Sequence, residues 1–583
     1  MRIRPLALAG LLFLTGAAGG ARAAPGTALG TLLEGYRLES AALDPLAATL
    51  AGEHRYDDEL PNTLALGALA RGLELERRAL KASAALDLGA LGPEERLTAE
   101  VFRRDRELAI EGYRYQEELL PFDADGGLPL TLARLGSGAG AQPFATVADH
   151  ERWLRRLGGL SPWVDQAITN LRRGAAKGIS LPRETVERLA AALGALVTDD
   201  PTASVYYRPA AALPSSVPAA RAAALRNAYA RAIREQVTPA YRRLATFLRD
   251  EYLPEARRGI AMSELPLGRG WYEHRLRRST TTTLEPAALH ALGQKEVARL
   301  EGELERTLAA AGQGDRRAYL AALAADPRNL AASGAELIAA YQELATRVAA
   351  RLPEFVDGAA PPVAIRALAA LPAGLVDGAP DAAPGLATAS FPVDVGDLGA
   401  SPRYLLAFRY LGRVVPGARY ARAVAAGSAL APLRRAARYL ACDEGWALYA
   451  AERGRELLPA ETASSVAALA AALDAAAALV VDTGVHARGW SRAAALEYLG
   501  QHASSEAAGR AILARIIASP GEAGAATVGS VRIRELRERA ERELGPRFEP
   551  AAFHHALLDG GSLPLDALER RVAGWLAARR AAP

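Results

Sequence analysis

The 583-residue chain carries one cysteine, Cys442, and three lysines, Lys81, Lys177 and Lys295, and its aromatic content is 6%. A single thiol excludes an intramolecular disulfide and any cysteine-based zinc cluster. Because lysine is scarce, the 70 basic residues are almost all arginine, set against 66 acids for a formal charge of +4. The arginines are interleaved with glutamates, as in the run Arg537–Arg547 (RERAERELGPR), and form no concentrated stripe. No nucleic-acid partner is expected from that pattern. Beyond the first 24 residues no apolar run of about 18 uncharged residues occurs, so no integral membrane segment is expected after the leader. The nearest approach, Val466–Val481, contains Asp474 and is followed by Asp482. H-E-x-x-H, Ser-x-x-Lys and G-x-S-x-G are all missing, and no two of the eight histidines stand four apart. A two-histidine helical metal site is therefore excluded. The Gly-rich run Gly136–Gly140 follows no expected strand and is not read as a phosphate loop.

Half of the residues are apolar, mostly alanine and leucine, which favours packed helices over sheet. Residues 1–23 read as a signal peptide: Arg2 and Arg4, an apolar core from Leu6 to Leu14, and a small-x-small site at Ala21-Arg22-Ala23. The expected destination is the periplasm or the extracellular space. Residues 24–583 read as a single, mainly α body with a central cleft. Its N-terminal helical half is 24–352, its C-terminal helical half 401–583. Helical periodicity covers about 64–120, 147–197, 217–250, 335–352, 401–456, 461–482, 492–518 and 530–543. After Glu285 and Pro286, Leu289, Leu292, Val297, Leu300, Leu304 and Leu308 recur at helical spacing. Between the halves, 353–400 is rich in Pro, Gly and Asp-Gly turns and holds two short strand-like pieces, Val363–Ala367 and Thr388–Val395.

Chemistry-bearing residues concentrate in the C-terminal half. Asp443-Glu444-Gly445-Trp446-Ala447-Leu448-Tyr449 is followed by Val480-Val481-Asp482-Thr483-Gly484-Val485-His486 and Trp490, then by Pro520-Gly521-Glu522-Ala523 and Phe553-His554-His555. In the N-terminal half stand Gly52-Glu53-His54-Arg55-Tyr56-Asp57 and Tyr272 with Arg275-Leu276-Arg277. In this order, over roughly residues 35–575, the segments resemble a large bacterial family of unknown function. Its members are mostly secreted, mainly helical, zinc-peptidase-like proteins. The family pattern runs H-E-x-x-P-G-H-H, E-G-W-A-L-Y-x-E, V-V-D-T-G-x-H, P-G-Q-A and F-H-x-x-L-L. The resemblance implies a zinc cofactor and a glutamate base at the first motif.

Here that first motif reads Gly412-Arg413-Val414-Val415-Pro416-Gly417-Ala418-Arg419. Its Pro-Gly anchor is kept, whereas the histidines and the glutamate are gone. Gly, Val and Ala offer no ligand, and arginine stays protonated, so no metal site and no cofactor are expected. The last glutamate of E-G-W-A-L-Y-x-E falls on Ala451 with Glu452 beside it, the arginines expected before V-V-D-T-G are Ala475 and Ala478, and the Gln of P-G-Q-A is Glu522.

The reading is a degenerate member that binds a peptide or small carboxylate ligand, or regulates a partner, without metal-dependent hydrolysis. Its expected ligand-binding residues are Arg413, Arg419, Glu444, Tyr449, His486 and His554, with Arg422 near them. Arg413 or Arg419 is expected to pair with Glu444 in place of the missing dication. The alternative is a hydrolase working through Glu444, Asp482 and His486 with a non-standard metal site or none. Asp482 and His486, four apart, fit equally a helix-terminal hydrogen bond. Trp446, Trp490, His54, Tyr56 and Cys442 read as packing residues.

Overall fold

In the computed structural model, residues 27–123, 126–138, 140–357, 362–368 and 390–581 are described. The leader at 1–23 and the first residues of the second strand-like piece lie outside them. The architecture is mainly α. Among the described residues the only sheet is a two-stranded parallel pair, β1 (Ala364–Leu368) and β2 (Ser390–Asp394), in register Ala364↔Ser390 to Leu368↔Asp394. Both strands fall on the strand-like pieces that interrupt the helical pattern.

Helix starts follow local chemistry. Thr146 and Asp149 form a reciprocal capping box ahead of Val147–Leu157, and Ser491 and Ser505 cap Arg492–His502 and Glu506–Ala518. Pro286 opens the helix Pro286–Ala310, where its missing N–H costs no bond. The periodic stretch 401–456 is not one helix. It breaks into Arg403–Arg413, Ala418–Gly427, Pro432–Ala436 and Leu440–Arg453, because Pro416-Gly417 and Pro432 cannot continue a helical ladder.

Buried residues from Leu46 to Ala256 form one core around Trp153, Trp163, Tyr206 and Tyr241. From residue 261 onward the helices pack with the C-terminal half. The helix Thr462–His486 is the centre of that packing. It is the one helix, among the described residues, long and apolar enough to cross a membrane, and it lies mostly buried inside the body. Its two acids are satisfied there: Asp474 accepts from Ser504 N–H (2.7 Å) and hydroxyl (2.6 Å). Pro286–Ala310 lies against it so closely that a Cβ on Gly293 would sit 2.8 Å from Val480 Cγ2.

A second close crossing joins Leu440–Arg453 to Ala525–Leu544. A Cβ at Gly529 would lie 1.7 Å from the Ala441 carbonyl oxygen, and one at Gly445 would lie 2.5 Å from Gly529 Cα. A smaller cluster, Leu29, Leu33, Ala79 and Phe102, reaches Ala431 and Leu433 and so brings the first helix, Ala28–Leu43, beside the segment that precedes the E-G-W motif.

Candidate functional site

The turn that replaces the H-E-x-x-P-G-H-H motif is packed shut. Val414 and Val415 are buried, and a Cβ on Gly417 would strike the Gly412 carbonyl oxygen at 1.9 Å. Trp446 Nε1 donates to the Pro416 carbonyl (3.0 Å), which pins the turn to the Leu440–Arg453 helix. These residues do not fit a zinc ion, since the side chains they supply are aliphatic or cationic. Nor does any group of three or more His, Cys, Asp or Glu side chains suited to a metal occur elsewhere among the described residues.

The expected pairing of Arg413 or Arg419 with Glu444 does not form. Arg413 and Glu444 are exposed, and no ion pair joins them. Arg419 is buried, with its guanidinium 5.8 Å from the Phe391 ring of β2. A carboxylate in water needs no counter-ion, so nothing draws an arginine to Glu444. Glu452, one place beyond the motif, lies 3.6 Å from Arg299, which also holds Glu296 at 2.6 Å.

Asp482 and His486 come together, with His486 Nε2 3.6 Å from Asp482 Oδ1, but both are fully buried. Asp482 accepts from Gly521 N–H (3.0 Å) and from the Tyr272 hydroxyl (3.2 Å). His486 Nδ1 accepts from Met262 N–H (3.0 Å) and Nε2 donates to the Ile516 carbonyl (3.0 Å). Burial pushes the Asp482 carboxyl up to about 7 and the His486 imidazole down to about 3. Both ring nitrogens of His486 are therefore committed to the backbone, and neither residue reaches solvent. The helix-terminal reading of this pair describes it better than the acid–base one.

Tyr449 and His554 also meet in the core. The tyrosine hydroxyl donates to His554 Nε2 (2.8 Å) and accepts from Arg537 (3.1 Å), while His554 Nδ1 donates to the Phe355 carbonyl (2.6 Å). Burial lowers the His554 imidazole to about 3. Tyr449, His486 and His554, expected to bind a ligand, thus lie buried with their polar atoms already paired inside the protein.

A groove lies beside Ala418–Gly427. Arg422, three residues past Arg419, faces this groove of about 1120 Å³. One wall comes from Ala28–Leu43 and Pro93–Gly112, the opposite wall from Ala418–Gly427 and residues 432–439. His274, Glu117 and Arg278 also line it. Eight arginines line the groove against five carboxylates, leaving an excess of three positive charges with His274 neutral. Burial lowers the His274 imidazole, which keeps it neutral near pH 7.

The groove's polar groups differ in what they already hold. Arg434 is buried and donates to the Ser562 (2.9 Å) and Gly560 (2.8 Å) carbonyls. Arg106 lies 4.1 Å over the Tyr36 ring and 3.2 Å from Glu76, with burial lowering it to about 10. Burial likewise raises Glu76 to about 7, with Asp105 adding to the rise. Asp105 takes a 2.5 Å hydrogen bond from Tyr439, and burial raises its carboxyl as well. Arg438 donates to the neighbouring Ala437 carbonyl (2.7 Å), and neither it nor Arg435 has a carboxylate within ion-pair distance among the described residues. These two arginines are the groove's available donors.

Sequence reasoning missed this wall. The signal was present in Arg434-Arg435-Ala436-Ala437-Arg438-Tyr439, three arginines and a tyrosine directly before the E-G-W motif.

The family described as a bacterial protein of unknown function (DUF885) matches residues 45–572. The chain belongs to that family. Two solved structures share the DUF885 fold seen here. The "putative lipoprotein" from Colwellia psychrerythraea superposes with a TM-score of 0.84 at 23% identity, covering 94% of this chain and 99% of that one. The "putative lipoprotein of unknown function" from Shewanella oneidensis gives 0.67 at 15% identity, covering 93% and 99%. No curated protein matches the chain.

Proposed function

We propose that this DUF885 protein is a pseudoenzyme that holds a carboxylate-bearing ligand, an acidic peptide above all, in the arginine-walled groove without metal-dependent hydrolysis. The observation that carries the reading is the groove itself: eight arginines line about 1120 Å³ against five carboxylates, and among the described residues Arg435 and Arg438 have no carboxylate within ion-pair distance. Guanidinium matches carboxylate in charge and in fork geometry, so such a wall selects acidic ligands. The collapsed turn at Gly412–Arg419 supports the non-hydrolytic half of the reading, for it offers neither ligand nor base.

Hydrolysis through Glu444, Asp482 and His486 would need the three groups at one place that a substrate can reach. Glu444 is on the surface, whereas Asp482 and His486 are sealed in the core. The proposed location is the periplasm or the extracellular space, supported by the leader-like residues 1–23 and by the lipoprotein descriptions of the two neighbours.

The test is calorimetric titration of the purified protein with an acidic tetrapeptide, alongside metal analysis and a broad peptide-cleavage screen. Saturable binding with neither zinc nor turnover is the expected result. Stoichiometric zinc with turnover, or no binding of acidic peptides, would overturn the proposal.

A further inference from the structure

Beside the groove lies a smaller pocket of about 240 Å³, and the two share Glu117 and Arg278. Arg278 donates to Glu117 across 3.4 Å, and both side chains are partly exposed, so this pair forms a sill between the compartments. The small pocket is lined by Trp271, Phe122 and Leu265 and by three arginines and three carboxylates.

All but one of those charged groups are committed. Arg257 donates to the carbonyls of Ser180 (2.9 Å), Gly259 (3.0 Å) and Ala261 (2.7 Å). Arg275 and Arg278 both lean on Glu117, at 3.7 and 3.4 Å, and Trp271 Nε1 donates to the same carboxylate at 3.2 Å. Asp123 accepts from Gly127 N–H at 3.0 Å. The exception is Glu522, whose carboxylate has no hydrogen bond and no ion pair among the described residues. It is half-buried, and the nearest charges acting on it are Arg275, Arg278, Asp123 and Arg515.

We infer that this pocket is a subsite for a primary ammonium group, the amino terminus of a peptide whose carboxylates lie on the groove's arginines, with Glu522 as its acceptor. The inference rests on the groove reading above and adds an orientation to it. A half-buried carboxylate without a donor is partly desolvated, and a cation that brings its own donors offsets that cost. An ammonium supplies three N–H donors and one charge, and it is small enough for a pocket of this volume. Of the pocket's own arginines, Arg257 gives its donors to backbone carbonyls, and Arg275 and Arg278 lie against Glu117 without bonding Glu522. A ligand carboxylate in the pocket would meet Glu522 as a like charge, which disfavours the reverse orientation.

The experiment is a two-by-two calorimetric titration. The unaltered protein and Glu522→Gln are each titrated with a tetrapeptide of one alanine and three glutamates, once with a free amino terminus and once N-acetylated. The unaltered protein is expected to prefer the free amine by about tenfold or more, the range of one charge-assisted hydrogen bond. Glu522→Gln should lose that preference while binding the acetylated peptide as before. Comparing the two peptides on the unaltered protein reads the subsite even if the variant folds poorly. Equal affinity for both peptides, or a preference for the free amine that survives Glu522→Gln, overturns the subsite while leaving the groove reading intact. If neither peptide binds the unaltered protein, the groove reading fails and this inference fails with it.

Discussion

The hydroxyl of Tyr439 donates to Asp105 Oδ2 across 2.5 Å, joining residues 334 positions apart. One comes from the Pro93–Gly112 wall of the groove and the other from the segment that carries Arg434, Arg435 and Arg438. Asp105 also has Arg104 Nη1 at 3.3 Å, so the pair is a tie between walls and not an isolated contact. Replacing Tyr439 by Phe removes the donor and leaves a carboxyl whose protonation is already favoured by burial. A loss of about 1–2 kcal/mol in urea unfolding is expected, with weaker acidic-peptide binding because the walls lose their tie.

Arg435→Ala combined with Arg438→Ala should separate binding from folding. Among the described residues neither arginine holds a carboxylate, so unfolding free energy should stay within about 1 kcal/mol of the parent. Acidic-peptide affinity should fall by about tenfold or more, and the salt dependence of what remains should flatten. Affinity equal to that of the parent would remove these two residues from the site.

His486 and His554 should both remain neutral down to low pH, in opposite tautomers. His486 carries its proton on Nε2, facing the Ile516 carbonyl, and His554 on Nδ1, facing the Phe355 carbonyl. Nitrogen-detected NMR of the ring atoms reads this directly. The stability consequence has a definite sign. Above about pH 6.5 the imidazoles are neutral in both folded and unfolded chains and cost nothing. As pH falls toward 3, the unfolded chain takes up protons that the fold refuses, since burial holds both rings near 3. Their contribution to stability is therefore full above pH 6.5 and is lost progressively below it.

Asp482 works in the opposite sense. Its carboxyl is raised to about 7 by burial, so the fold holds a proton that the unfolded chain releases near pH 4. That contribution is present at pH 4 and lost as pH rises through 7. Asp482→Asn keeps an acceptor for Gly521 or Tyr272 and cannot ionise. Relative to the parent it should gain on the order of 2 kcal/mol between pH 5 and pH 8, measured by thermal unfolding at both values. A difference independent of pH would show that Asp482 is ionised in the fold throughout.

How much of this was legible beforehand depended on the kind of signal. Helical spacing in Leu289–Leu308 and the interruption around 353–400 predicted the helix Pro286–Ala310 and the β1–β2 pair, because periodicity and turn residues act locally. That Gly412–Arg419 carries no His, Cys, Asp or Glu was equally plain, since ligand chemistry is a property of residue type. What the sequence concealed was burial. Asp482, His486, Tyr449 and His554 carry reactive atoms in recognisable motifs, yet each atom is paired to a group from elsewhere in the chain: Met262, Ile516, Phe355, Arg537. The groove was hidden for the same reason, being assembled from walls more than 300 residues apart.

Gly529→Ala is expected to be among the most damaging single changes in the chain. The added methyl would meet the Ala441 carbonyl, a backbone atom that cannot swing aside, so the two helices must separate. Overpacking of this kind costs about 1–3 kcal/mol or more, read as a lowered urea midpoint, and Gly445→Ala should behave alike.

That crossing also accounts for which letters of the E-G-W-A-L-Y segment serve the frame. Gly445 is demanded by the approach of Gly529, Trp446 by the Pro416 carbonyl, and Tyr449 by His554 and Arg537. Each answers to a mechanical demand of the packing, which holds whatever chemistry the chain performs. A signature of this composition therefore reports an intact frame, and its presence in another chain is evidence of packing before it is evidence of catalysis.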